Sequence, residues 1–188
     1  MALRCGFGLI TLFALTTPAI ACLSPYNLIV NCGFTAGTTS WENQTSGSCV
    51  PNSSSGVTDA ANITCTSFAG GLGHVVRFRQ CIKTNTGVAA NKLYAYGVYG
   101  QLVSGSNVSC NVQAADFTQD NCQFNINAVT TPLSPAGSYV KSTEATYLTG
   151  AGTQSAHLQV ECTSPTSFQI RVDDAFFSDE RIFADGFQ

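Results

Sequence analysis

The sequence predicts an all-β protein, an antiparallel β-sandwich or jelly roll that is stapled by disulfides. Helical periodicity is nearly absent from the 188 residues. Apolar and polar residues instead alternate in short runs, and Gly, Ser, Asn and Pro separate these runs. This alternation is typical of strands that bury one face and expose the other. No repeat of fixed period is present in the sequence, which argues against a solenoid or a propeller.

Five runs alternate clearly, and weaker runs raise the expected number of strands to about eight. In the first clear run, Val76 and Phe78 are predicted to face the core while Arg77 and Arg79 face outward. In the second run, Tyr99 is predicted to face outward. The five runs span residues 74–83, 93–103, 122–128, 156–162 and 168–176.

The run at residues 122–128 also alternates between apolar and polar residues. The alternation predicts that Phe124 and Ile126 point inward. It places the amide side chains on the opposite face, and these are Gln123, Asn125 and Asn127.

Composition limits the classes of partner. Charged residues make up 10% of the chain, the net charge is −3 and the pI is near 5.1, whereas an average soluble domain is about 25% charged. A weakly acidic chain argues against nucleic acid or an anionic membrane as the main partner. Apolar residues at 44% with 12 Phe are enough to build one core, and the length suits one domain.

The amino terminus predicts export. Residues 1–21 read as a signal peptide with Arg4, an apolar stretch at 6–15 and an A-x-A cleavage site that ends at Ala21. No later apolar stretch is long enough to be a transmembrane segment. The predicted organisation is a signal peptide at 1–21, a β-sandwich domain at 22–176 and a tail at 177–188. The predicted location is secreted or on the cell surface.

Nine cysteines are the most informative feature of the composition. Loss of Cys5 with the signal leaves an even number, which favours four disulfides in an oxidising compartment. The spacing favours the pairs Cys49–Cys65, Cys110–Cys122 and Cys22–Cys162, although 105 connectivities are open. Because there is no CxxC and there are only two His, a zinc or thioredoxin-type site is not predicted. The eight are Cys22, Cys32, Cys49, Cys65, Cys81, Cys110, Cys122 and Cys162.

An alternative use of Cys22 is acylation, as in a bacterial lipoprotein, because it directly follows the predicted cleavage site. Such sites usually carry Leu three residues before the Cys, and this chain has Ala19 there. Acylation would also leave one thiol unpaired, so anchoring at Cys22 is the less favoured alternative.

Two stretches together, with a compatible third between them, resemble the jelly-roll carbohydrate-binding modules of the galactose-binding-like superfamily. Residues 27–34 read NLIVNCGF and are followed by Trp41, similar to that family's N-L-x-x-N-G-x-F-E first strand. Residues 168–176 read FQIRVDDAF, similar to a last strand with D-D-V, and residues 70–78 read GGLGHVVRF, similar to a third strand. The motifs cover about 20 residues of the mature chain.

The resemblance implies a possible structural calcium ion but no other cofactor. In this family a first-strand Glu and an Asp of the last strand often hold calcium. Asp173 matches the second ligand, but Thr35 stands at the Glu position, so one carboxylate is missing.

The resemblance also implies a sugar site of aromatic rings and amides. Tyr99 is the predicted stacking residue, and Trp41 is a rim residue in or beside a loop. The predicted hydrogen-bonding partners are Arg79, Gln101, Gln123, Asn125 and Asn127.

The sequence therefore predicts a secreted, non-catalytic module that binds a glycan. The first alternative is a structural or adhesion protein of a bacterial cell surface that acts through a protein partner. The second is a small sandwich-fold hydrolase, but no nucleophile elbow, H-E-x-x-H pair or phosphate loop is present in the sequence. Residues 182–187 read IFADGF, similar to the endings of many exported Gram-negative proteins, so the tail is either a sorting element or packs on the sandwich edge.

Overall fold

A computed structural model describes residue 22 and residues 26–44, 47–70 and 73–179. Within these ranges the chain forms twelve strands, and a short 3-10 helix, Thr84–Thr86, follows the fifth. The strands in chain order are β1 (Glu42–Asn43), β2 (Ser48–Asn52), β3 (Asn62–Thr66), β4 (Phe68–Gly70), β5 (Gly73–Lys83), β6 (Leu93–Ser104), β7 (Ser109–Phe117), β8 (Asn125–Leu133), β9 (Val140–Lys141), β10 (Ala145–Leu148), β11 (Ser155–Ser164) and β12 (Gln169–Asp179).

The strands form two six-stranded sheets. The first sheet has the order β1-β5-β11-β7-β8, with β4 also paired to β5. The second has the order β10-β6-β12-β3-β2, with β9 also paired to β6. All these pairs are antiparallel, which confirms the predicted sandwich. The number of strands is larger than the predicted eight, in part because β1, β4 and β9 have only two or three residues, too few to show alternation.

One apolar core lies between the two sheets. Val76, Phe78 and Ile82 of β5 are at most 2% exposed, which confirms the predicted inner face of that strand. The second sheet contributes aromatic rings, and Tyr94 stacks on Phe177 at 4.8 Å between ring centroids. Other buried core residues come from β6, β7, β11 and β12 and include Tyr96, Val98, Val112, Ala114, Leu158, Val160, Ile170 and Val172.

The alternation predicted for residues 122–128 is wrong. β8 begins only at Asn125, Phe124 is 68% exposed and Ile126 is 39% exposed. Cys122 and Phe124 both adopt left-handed backbone angles, with φ of 57° and 59°. Side chains alternate between faces only on an extended backbone, so a turn in this conformation cancels the pattern.

The chain ends differ from the predicted boundaries where the structure describes them. β12 continues through Asp179, three residues past the predicted end of the domain at 176. The rest of the predicted tail, 180–188, and the predicted signal peptide, 1–21, lie outside the described residues. No helix among the described residues is long and apolar enough to cross a membrane.

Eight cysteines form four disulfides, and Cys49–Cys65 is paired as predicted. The other pairs are Cys22–Cys32, Cys81–Cys122 and Cys110–Cys162.

The predicted Cys110–Cys122 and Cys22–Cys162 pairs are wrong because of β7 geometry. Cys110 lies opposite Cys162 of β11, near the start of β7. Cys122 lies beyond the far end of this nine-residue strand, and an extended strand of that length spans roughly 30 Å. The bond from Cys22 to Cys32 is also incompatible with acylation of the Cys22 sulfur.

A buried carboxylate ties the edge strands of both sheets together. Asp116 of β7 is fully buried and accepts hydrogen bonds from the Tyr147 hydroxyl at 2.6 Å and the Asn127 amide N–H at 3.1 Å. Its other oxygen accepts from the Gly150 amide N–H at 2.6 Å and the Thr153 hydroxyl at 2.5 Å. One side chain thereby links β7 and β8 of the first sheet to β10 of the second and to the loop that follows.

Replacing this carboxylate is expected to be costly. Asp116→Ala removes the acceptor of the Asn127 and Gly150 amide N–H groups and leaves the two hydroxyls only their carbonyl acceptors, so the free energy of unfolding falls by about 3–5 kcal/mol. Chemical denaturation measures this loss. Asp120→Ala, in the exposed turn after the same strand, is the control and changes stability by less than about 0.5 kcal/mol. Equal stability of the two variants contradicts the role assigned to Asp116.

Candidate ligand-binding face

The predicted sugar-contacting residues lie on two sheets and do not form one site. Arg79 is in β5 and Asn125 is in β8, both in the first sheet. Asn127 is also in β8, and Gln123 lies in the turn before it. Tyr99 is in β6 of the second sheet, so the core separates it from the others.

Trp41 and Gln101 have partners inside the fold. Trp41 is 7% exposed and stacks on Phe78 with 4.8 Å between ring centroids, so it is a core residue and not a rim residue. Gln101 shares the second sheet with Tyr99. Its amide donates to the Gly137 carbonyl oxygen at 2.7 Å and accepts from Arg171 at 3.2 Å.

A continuous line of polar side chains crosses the outer face of the first sheet, the face opposite the core, and its central residue Gln159 is only 7% exposed. Strand pairing aligns Glu42 with Arg79, Arg79 with Gln159, Gln159 with Gln113, and Gln113 with Thr130. These five residues, which we call the polar row, cross β1, β5, β11, β7 and β8. With neighbouring strands about 4.8 Å apart, the row is roughly 19 Å long. It supplies a carboxylate, a guanidinium, two amides and a hydroxyl.

The charges on this face are balanced. The Arg79 guanidinium lies 3.1 Å from the Glu42 carboxylate, and the Arg77 guanidinium lies 2.7 Å from the Glu161 carboxylate. Glu161 also accepts from the Gln159 amide at 3.4 Å. The outer face therefore offers many hydrogen-bonding groups and no net charge from these four residues.

His157 holds one amide of the polar row in place. It is 5% exposed, and its Nε2 lies 2.9 Å from the Gln113 carbonyl oxygen. Since that oxygen only accepts, Nε2 carries the proton, and the buried Nδ1 is left without a hydrogen-bond partner. Burial lowers the pKa of His157 to about 4, with a further contribution from Arg79, so the ring is neutral at neutral pH. We assign it a positioning role toward Gln113.

Small and apolar residues lie beside the polar row. Ala115 and Ala128 are opposite each other in β7 and β8, two residues along the strands from the pair Gln113 and Thr130. Two residues further along β7 is Phe117, which lies against His157 with 5.0 Å between ring centroids. Ala115 and Phe117 are buried together with Cys122, so the polar row borders a small buried apolar cluster next to the turn at 118–124.

Sequence reasoning missed Gln113, His157 and Gln159 as members of one site. The alternation at 156–162 did indicate that His157 and Gln159 face outward. Alternation does not reveal which residues of other strands lie beside them, because that depends on strand pairing.

Both oxygens of the Asp173 carboxylate accept hydrogen bonds from the backbone. One Asp173 oxygen accepts from the Val57 amide N–H at 2.6 Å, and the other accepts from the Asp174 amide N–H at 2.8 Å. The neighbouring Asp174 accepts from the Thr58 hydroxyl at 3.1 Å. Among the described residues, no group of three or more His, Cys, Asp and Glu side chains is placed to hold a metal ion. We propose that Asp173 is a structural acceptor that fixes the loop around Val57.

Comparison with known proteins defines the class of fold. No protein family model and no curated protein matches the sequence. A family 16 carbohydrate-binding module is 14% identical with a TM-score of 0.59, over 81% of this chain and 100% of that one. A family 61 module in complex with β-1,4-galactotriose is 13% identical with a TM-score of 0.55, over 82% and 99%.

The enzymatically active domain of tailspike protein 4 from bacteriophage CBA120 is also similar. It is 9% identical with a TM-score of 0.63, over 82% of this chain, which spans only 21% of the tailspike chain. At such identities the likeness concerns the fold alone. The protein shares the β-sandwich fold of these carbohydrate-binding modules, which agrees with the fold that its sequence motifs implied.

The buried Asp173 predicts a stability that decreases as the pH rises. Burial raises the pKa of Asp173 to about 7 from 3.8. Since the folded state holds this proton more tightly than the unfolded chain, stability is greatest below about pH 4 and falls between about pH 4 and 7. We expect denaturation at pH 5 and pH 8 to differ by about 2–4 kcal/mol, and Asp173→Asn to remove most of the difference.

Asp120→Asn, which changes an exposed acid, serves as the control for this pH series and is expected to retain the slope. Added calcium chloride separates the structural role from a metal-binding role. A calcium-dependent rise in the unfolding midpoint at pH 8 that Asp173→Asn abolishes would show that Asp173 is a ligand after all.

Proposed function

We propose that this protein is a secreted, non-catalytic module that binds a glycan along the polar row. The observation that carries the proposal is the row itself, in which Arg79, Gln159 and Gln113 lie side by side on three adjacent strands. A guanidinium and amides in fixed positions match the hydroxyl groups of a sugar chain, which both donate and accept. A length of roughly 19 Å suits an oligosaccharide better than a single sugar.

The charge balance supports an uncharged glycan. The two arginines of this face are already paired with carboxylates, so an acidic polysaccharide would have to displace Glu42 or Glu161. Hydroxyl groups need only the free positions that remain on these side chains and on the amides.

Two further observations support the details of the proposal. Four disulfides suit an oxidising compartment, which agrees with the predicted export signal. The carboxylates of the face are bound to arginines, whereas a glycosidase needs two carboxyl groups flanking the bond it cleaves.

Modules of this fold have been crystallised with β-1,4-galactotriose, and one xylanase fragment that contains such a module has been crystallised with xylohexaose. Those sugars are the ligands of those proteins and serve here as probes.

Binding to polysaccharides tests the proposal directly. Affinity electrophoresis through xylan, galactan, β-glucan and mannan, with polygalacturonate as an acidic comparison, is expected to retard the protein in at least one neutral gel. Gln159→Ala is expected to weaken that binding about 10-fold, because one or two hydrogen bonds are lost.

Tyr99→Ala on the second sheet is the matched control and is expected to bind as the wild type does. The opposite result, loss of binding in Tyr99→Ala alone, would place the site on the second sheet. Absence of binding to every polysaccharide, or release of reducing ends from one that binds, contradicts a non-catalytic glycan-binding module.

A further inference from the structure

One edge of the sandwich is formed by two stretches of sequence without charged residues. β8 ends the first sheet and β10 ends the second. The Tyr147 hydroxyl of β10 donates to the Asn127 carbonyl oxygen of β8 at 2.9 Å, so both strands lie on the same side of the molecule. Residues 121–140 and 145–160, which include these two strands, contain no Asp, Glu, Lys or Arg. An apolar segment can therefore cover this edge without removing charges of these stretches from water.

Exposed apolar side chains lie along this edge. Leu93 of β6 and Leu148 of β10 are directly opposite each other, and they are 37% and 60% exposed. Ile126 is 39% exposed, and it lies so close to Gly150, two residues after Leu148, that a Cβ atom there would be 3.1 Å from its Cγ2 atom. Phe124, which precedes Ile126 by two residues, is 68% exposed. We call Leu93, Phe124, Ile126 and Leu148 the apolar edge. Single exposed apolar residues are ordinary, but a group of them marks an interaction surface.

The last described strand ends beside the apolar edge. Asp179, the last residue of β12, lies opposite Tyr94 of β6, and its carboxylate is 2.7 Å from the Lys92 ammonium group. Tyr94 lies in turn opposite Tyr147 of β10. Two strand spacings of about 4.8 Å place Asp179 roughly 10 Å from β10. The chain therefore leaves the second sheet close to the apolar edge.

The sequence after β12 has a composition that suits this surface. Residues 180–188 lie outside the described residues and read ERIFADGFQ, with Ile182, Phe183 and Phe187 as large apolar side chains. Nine residues span up to about 30 Å when extended, about three times the distance from Asp179 to β10. A segment tethered this close has an effective concentration on the order of millimolar. It therefore outcompetes a second copy of the chain at micromolar concentration for the same surface.

We propose that residues 182–187 dock on the apolar edge of the same chain and cover Leu93 and Leu148. Removal of apolar surface from water on both sides of the contact is the driving force. Lys92, the cation at the point where the chain leaves the sheet, is already paired with Asp179, so it does not need a partner from the segment. The docking goes beyond glycan binding and does not depend on it.

Trypsin measures whether the segment is docked. Arg181 is the only Lys or Arg after β12 in the sequence, and cleavage there releases residues 182–188, which mass spectrometry identifies. A docked segment is cleaved only while it is open, so the wild type is expected to be cut about 10-fold more slowly than a synthetic peptide of residues 178–188. Leu148→Asp places a charge in the apolar edge and is expected to bring the rate close to that of the peptide.

Val50→Asp is the matched control. Val50 is 50% exposed on β2, the strand at the opposite edge of the second sheet, so the same substitution is expected to leave the cleavage rate unchanged. Phe187→Ser is a second variant on the other side of the contact. It removes a ring of the segment away from the cleaved bond and is expected to accelerate cleavage several-fold. Circular dichroism checks that the variants remain folded.

Three outcomes overturn the inference. Wild-type cleavage as fast as that of the peptide shows that the segment is not docked, which leaves it free for the sorting role. Slow cleavage in the wild type that Leu148→Asp does not accelerate places the segment on another surface. Protection that increases with protein concentration assigns the apolar edge to a second copy of the chain. These measurements use no sugar, so failure of the docking and failure of glycan binding are observed separately.

Discussion

Burial of one face of each sheet against the other is the constraint on which this structure depends. The inner faces carry the aromatic rings of Phe78, Tyr94 and Phe177 together with the aliphatic residues between them. Burying each such side chain stabilises the fold by about 1.5–3 kcal/mol relative to exposure, so the inner faces are committed to the core. Recognition of a ligand is then left to the outer faces and to the turns at the ends of the strands.

Among the described residues, no disulfide joins a strand of one sheet to a strand of the other. Cys49–Cys65 lies within the second sheet, and Cys110–Cys162 and Cys81–Cys122 lie within or beside the first. Apolar contact joins the sheets instead, assisted at one edge by Asp116, whose carboxylate is bonded to Tyr147 of the opposite sheet. The disulfides therefore fix strand register and turns, and one of these turns presents Phe124.

Alternation predicted which face of a strand is buried, because that pattern is local. It was right for Val76, Phe78 and Ile82, which all lie in the core. It did not reveal that Tyr99 and Arg79, both predicted outward, belong to opposite sheets. That assignment depends on which strands pair, and pairing is a property of the whole chain.

The dependence on strand pairing also explains why the sequence did not predict the polar row. Arg79, Gln113 and Gln159 become neighbours only through two antiparallel pairings between residues more than thirty positions apart. The error at Phe124 has a different cause, since left-handed angles at Cys122 and Phe124 interrupt the strand where the side chains still alternate in type. The alternation of residue types gives no sign of this change in backbone conformation.

The polar row combines paired charges with groups that burial keeps neutral. Only 10% of the residues are charged, and burial shifts several titratable groups, among them Asp173 and His157, toward their neutral forms. It raises the pKa of Asp173 to about 7 and lowers the pKa of His157 to about 4. Between these values His157 is neutral and keeps Gln113 fixed through a hydrogen bond that needs no ionic partner. With both arginines of the face already paired, the proposed glycan binding rests on neutral hydrogen bonds, whose strength depends on position more than on charge. A rigid sheet, held in register by disulfides, is the support that such a site requires.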